Sequence, residues 1–153
     1  MSEFSISKQL VHENLIGLIR EKLALVQDNI SQLKQSAAED TKSSAGDKYE
    51  TGREMVRQEI DKAEKMQGEY LKQLEQLSGI NPGSEFDTIQ SGSLIITDRM
   101  AMYVAVSFGK VTISGQDVFV VSPQAPLARI LLGKKAGDQV LFNAVKYQIL
   151  AVQ

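Results

Sequence analysis

Asp47 and Glu50 stand three residues apart in the segment from Ser43 to Arg53, S-S-A-G-D-K-Y-E-T-G-R. On a helix that spacing turns both carboxylates to the same side of one turn. Such a pair can share a Mg²⁺, a hard ion that often takes only one or two protein oxygens and fills its shell with water. The same residues also fit a capping box, with Asp47 at the N-cap, Glu50 reaching back, and both acids favoured by the helix dipole. Spacing leaves both readings open. They coexist only in part, because a carboxylate bonded to a backbone N–H keeps fewer lone pairs for a metal. Two exposed carboxylates alone hold Mg²⁺ weakly, so no metal tightly bound to the free protein is expected.

Other chemistry is narrowed by composition. The chain has no cysteine, which excludes disulfides, thiol nucleophiles and thiolate zinc sites. Its one histidine, His12, rules out a multi-histidine metal site within one chain. His12 falls near the start of a helical pattern and reads as a half-exposed helix histidine. A second informative stretch runs from Ser122 to Val140, S-P-Q-A-P-L-A-R-I-L-L-G-K-K-A-G-D-Q-V. It reads as a strand exit, a proline-marked turn, a short helix, a glycine turn and a returning strand, with Lys134-Lys135 an ordinary solvated pair.

The elements that position these residues follow two rhythms. Ile16, Ile19, Leu23, Val26, Ile30, Leu33 and Ala37 are spaced 3, 4, 3, 4, 3 and 4, a heptad that keeps one narrow stripe facing a partner helix. The segment Ser36 to Gly46 holds no large apolar residue and reads as a turn. A second helical run places Val56, Ile60, Ala63, Met66, Tyr70, Leu74 and Leu77 on one side, then stops at Ser78-Gly79 and Asn81-Pro82-Gly83. Two such helices with a short polar link fold back as an antiparallel pair. At ~30 residues each they reach about 45 Å from base to tip. A pair of this kind has little core of its own and needs its base held.

From Phe86 onward the rhythm becomes β-like. Expected strands are Leu94 to Thr97, Met102 to Phe108, Lys110 to Ile113, Val118 to Val121, Gln139 to Phe142 and Lys146 to Val152. The run Pro126 to Gly133 carries the signature of one short helix. The fold class is therefore α+β: an antiparallel two-helix coiled-coil hairpin over 1–79, its tip at about 38–50, then a small antiparallel sheet domain with one short helix over 80–153.

The net charge of −2 over 153 residues argues against a chain that coats nucleic acid by charge. Residues 1–78 carry 11 basic and 14 acidic side chains, and residues 79–153 carry 6 and 5, so neither half is a strong electrostatic lure. No apolar run approaches the ~18 residues of a membrane span, and the first residues lack the basic start and apolar core of a secretion signal. A cytoplasmic monomer with no membrane association is the expectation.

Together the two informative stretches resemble the bacterial GreA/GreB transcript-cleavage factors. Ser122, Pro123, Leu131, Leu132, Gly133, Lys134, Gly137, Asp138, Val140, Tyr147, Ile149 and Leu150 stand in the places of that family's S-P turn, L-[IL]-G-K helix end, G-D-x-V return and final Y-x-I-L strand. Gly46, Asp47 and Glu50 match its G-D-x-x-E tip; Thr51 replaces the family's asparagine, and Gly52-Arg53-Glu54 replaces its A-E-Y run. The resemblance implies an FKBP-like carboxy-terminal domain and RNA polymerase as the partner. It also implies a hairpin entering the polymerase's secondary channel. There Asp47 and Glu50 would help hold the second catalytic Mg²⁺, near nascent RNA, and stimulate cleavage of backtracked transcript. Ser122 and Pro123 would dock at the channel's outer rim. On this reading the chain is an accessory factor, not an enzyme, and has no catalytic residues of its own.

Three alternatives follow. The chain could bind the polymerase and regulate it without cleavage. An FKBP-like domain can also be a peptidyl-prolyl isomerase, which requires an aromatic-lined pocket built from Phe86, Tyr103, Phe108, Phe119, Phe142 or Tyr147. A structural hairpin dimerising through leftover apolar surface would leave the Gre-like tail unexplained.

Overall fold

The computed structural model describes residues 4–40 and 46–153, with side chains described over 4–39 and 52–153. Two long helices come first, α1 Lys8–Asp40 and α2 Gly46–Ser78, forming a helical hairpin. Then follow β1 Leu94–Thr97, β2 Ala101–Val104, β3 Gly109–Ile113, β4 Gln116–Val121, the short helix α3 Pro126–Leu131, β5 Gln139–Phe142 and β6 Val145–Val152. The chain divides into two compact units, 17–74 and the remainder, 1–16 with 75–153. The dividing lines fall inside the helices rather than at the 79/80 link: the first turns of α1 and the last of α2 belong with the sheet.

In the unit 17–74, the heptad of α1 is the stripe that leaves solvent. Ile19 and Ile30 are buried, Leu23, Val26, Leu33 and Ala37 are half-buried, and between 17 and 39 only Leu18 joins them. The stripe on α2 differs in two places from the expected one: Gln73 joins it as a half-buried residue, and Met66 leaves it. Met66 is 38% exposed, while Gln67 is half-buried alongside Val56, Ile60, Tyr70 and Leu74, with Ala63 buried. The strict 4, 3 alternation from Ala63 to Tyr70 passes through position 67, and helical geometry overrides the more apolar neighbour. A polar side chain therefore occupies a seam position.

In the other unit, Ser7 caps α1: its Oγ accepts the Leu10 N–H at 3.1 Å and its carbonyl accepts the Val11 N–H at 3.1 Å. After α2, Asn81 Oδ1 accepts the Gly83 N–H at 2.9 Å and turns the chain toward the sheet. The strand order is β3-β4-β2-β1-β6-β5. Four neighbouring pairs are antiparallel, but β2 and β4 run parallel, Tyr103 opposite Val120, so the sheet is mixed and not wholly antiparallel. The tight Ser114-Gly115 turn, with φ of 51° and 77°, pairs β3 with β4. Because β3 folds to the outside, β4 arrives beside β2 pointing the same way. Local turn chemistry specified the hairpin and had no bearing on the neighbour across the sheet.

Alternation along the strands makes two apolar faces. One carries Ile95, Met102, Val104, Tyr147 and Ile149, and α3 closes it with Leu131. The opposite face carries Leu94, Tyr103, Val111, Val118 and Val120, all buried, and meets α1 at His12. The sheet is thus the middle of three layers in this unit.

Candidate functional site

Asp47 and Glu50 fall at the start of α2, which begins at Gly46. Asp47 is thereby inside the helix by one residue, close to the N-cap place the capping reading assigns it. The carboxylates of both, and all of 41–45, lie outside the described residues. Among the described residues, no group of three or more His, Cys, Asp or Glu is arranged to hold a metal ion.

Ser122 and Pro123 sit where β4 ends and α3 has yet to begin. The Ser122 Oγ accepts the Gln124 N–H at 3.1 Å and donates to Gln124 Oε1. Its carbonyl accepts the Ala125 N–H at 3.0 Å. Both residues are half-buried and Gln124 is exposed. Pro126, whose missing N–H costs nothing at a helix start, then opens α3. The result is a turn held from within by its own hydrogen bonds.

The rest of the tail motif has structural work. Gly133 has φ of +82° and Gly137 of +95°, conformations that L side chains avoid. The Gly133 N–H bonds the Ile89 carbonyl and the Ile89 N–H bonds the Lys134 carbonyl, both at 2.8 Å, tying the α3 exit to the segment before β1. The Asp138 carboxylate accepts the Lys135 N–H at 3.0 Å and closes the loop into β5. Val140, Tyr147 and Ile149 are core, whereas Leu132 is 38% and Leu150 55% exposed.

His12 is not half-exposed. It retains 5% of its exposure and lies against Tyr103, itself sealed. The Tyr103 hydroxyl and His12 Nδ1 are 2.7 Å apart, and the rings meet edge to face with centroids 6.0 Å apart. Burial lowers the imidazole pKa, with Glu13 opposing, and pushes the Tyr103 hydroxyl up to about 12. The partners are 91 residues apart, so nothing local announced the pair. Lys8 is the second residue that sequence reasoning missed. It is 4% exposed, donates to the Ser84 carbonyl and stands 4.6 Å from the Phe86 ring centroid. Burial lowers its pKa, with Glu85 opposing.

No helix among the described residues is long and apolar enough to cross a membrane. No family model matches the chain, and no curated protein matches it. The solved structure of the transcription factor Gfh1 is similar at 18% identity over 90% of this chain and 92% of that one, with a TM-score of 0.34. A likeness at that score says nothing about function.

Proposed function

We propose that this chain is a Gre-like factor that binds bacterial RNA polymerase, inserts its hairpin into the secondary channel, and stimulates cleavage of backtracked RNA. The observation that carries the reading is the occurrence, in order, of Gly46-Asp47-x-x-Glu50 at the start of α2 and the tail from Ser122-Pro123 to Leu150, on a hairpin followed by a sheet domain. Two carboxylates suit a Mg²⁺ held jointly with the polymerase, since a second ion activates water and stabilises the leaving oxygen. At 33 residues per helix the hairpin offers a reach of ~50 Å. The turn at Ser122 and Pro123 is the proposed rim contact. The reaction belongs to the polymerase, so the factor is not an enzyme by itself.

Thr51, in place of asparagine beside Glu50, favours a second reading: the same docking with regulation and no cleavage. An isomerase gains little support, since Tyr103 and Tyr147 lie on opposite faces of the sheet. Stalled, backtracked elongation complexes with labelled RNA and Mg²⁺ separate the first two readings. Shortening of the RNA by the native chain but not by Asp47→Ala/Glu50→Ala would establish cleavage through those acids. Binding without shortening would leave the regulator, and no binding would end both.

A further inference from the structure

In the unit that holds the sheet, most of the large apolar side chains left exposed stand singly, which is ordinary for a protein surface. Leu10, Phe119, Leu141 and Leu150 lie on four different elements. Ile130 and Leu132, each 38% exposed, are the exception, two residues apart at the exit of α3. Cations flank them. Arg129, Lys134 and Lys135 are exposed and make up half of the six basic residues of 79–153, while no acidic residue occurs from Ser122 to Gly137. Among the described residues none of the three forms an ion pair. The acids of the same unit are differently placed. Asp98, Asp117 and Asp138 each accept a hydrogen bond from within it, from the Gln148 N–H, the Thr112 hydroxyl and the Lys135 N–H.

The backbone beneath this patch is fixed. Ala128 and Leu131 are buried and anchor α3, and the bonds from Gly133 to Ile89 and from Ile89 to Lys134 hold its exit. Thr88 pairs with Lys135 just beyond. A surface already ordered loses little entropy on binding. It offers side chains and no strand edge, so an occupant must satisfy its own backbone groups, which selects a helix. Apolar contacts beside unpaired positive charge select leucines flanked by carboxylates.

We infer that α3 and its exit, from Arg129 to Lys135, form a docking surface for an acidic amphipathic helix of a partner protein. Ile130 and Leu132 receive the partner's leucines, and Arg129, Lys134 and Lys135 its carboxylates. The surface is small, so the complex belongs to the weak, transient class, and its affinity falls as salt screens the charges. The inference stands apart from the cleavage reading, because it invokes neither the hairpin tip nor the Ser122-Pro123 turn.

The test uses the full chain and a fluorescein-labelled peptide of about 18 residues, about five helical turns, with leucines along one face and glutamate and alanine elsewhere. Anisotropy measures the affinity, and amide shifts of the isotope-labelled chain locate the site. Saturable binding is expected, with the shifts centred on α3 and its exit. Arg129→Ala/Lys134→Ala/Lys135→Ala should weaken it about tenfold, the sum of three exposed charge pairs. Ile130→Ser/Leu132→Ser should weaken it about fivefold through lost apolar contact. Lys110→Ala/Lys146→Ala removes two exposed cations elsewhere on the sheet and should change it by less than about twofold. Absence of binding at millimolar peptide, shifts centred elsewhere, or an equal loss in the Lys110/Lys146 variant overturns the proposal. So does equal affinity for a peptide of the same composition with its leucines scattered around the helix. Tighter binding of a short RNA of matched charge also overturns it and makes the patch a phosphate site. Every substituted side chain is exposed, and circular dichroism verifies that the variants stay folded.

Discussion

Tyr103→Phe tests the account of the buried base of α1. The hydroxyl is 2.7 Å from His12 Nδ1; His12 is 5% exposed and Tyr103 fully buried. Were the pair wet, losing the bond would cost no more than about 0.5 kcal/mol, the range of ordinary surface changes, because water would replace the partner. Here the imidazole nitrogen is left where water cannot reach, and the penalty is that of a buried unsatisfied group, about 1–3 kcal/mol. With a urea slope of about 2 kcal/mol/M, the midpoint should fall by on the order of 1 M. The assay is a urea titration followed by amide resonances of β2 and β4, which report on the sheet and not on the distal hairpin. A drop of under about 0.5 kcal/mol, the range of ordinary surface changes, would refute the claim that the pair is dry.

The same pair sets a pH dependence whose sign follows from the direction of its shift. Burial lowers the pKa of His12 below its ordinary 6.5, so in acid the unfolded chain binds the proton more readily. Stability is then full above ~6.5 and falls as pH drops from there through the folded value. Since the chain has one histidine, and histidine is the side chain that ordinarily titrates in this range, its ring proton resonances can be followed without assignment. A titration midpoint at or above 6.5 would contradict the burial argument.

The remaining predictions are more local. Ala144 holds φ of +63° in the β5–β6 turn; glycine relieves about 1 kcal/mol of strain while adding up to ~1 kcal/mol of unfolded-state entropy. Ala144→Gly should thus be neutral or stabilising by up to ~1 kcal/mol, and a loss beyond 0.5 kcal/mol, on the order of normal scatter, in the urea midpoint would count against the strain. Under the proposed function, replacing Ser122 and Pro123 by alanine should weaken polymerase binding by about tenfold, on the order of 1.4 kcal/mol, while moving the urea midpoint little. Unchanged binding in a direct titration would remove the turn from the interface.

The α1 heptad was legible because a two-helix seam is a local periodicity: the same 3, 4 spacing that appears in the text reappears as the row of residues leaving solvent. The helix stop at Ser78-Gly79, the proline opening of α3 and the glycines at 133 and 137 were legible for the same reason, since φ preferences act within a few residues. The Asp47 and Glu50 pair was legible as a spacing and no further. What failed needed partners distant in the chain. Gln67 displaced Met66 because the facing helix, not local hydrophobicity, chooses which position is inside. The parallel pairing of β2 and β4 came from where a folded-out hairpin leaves its second strand. His12 read as half-exposed because the tyrosine that buries it is 91 positions away. Periodicity and turn chemistry are encoded locally; strand neighbours, seam occupancy and the partners of buried polar groups are settled only when distant segments compete for the same space.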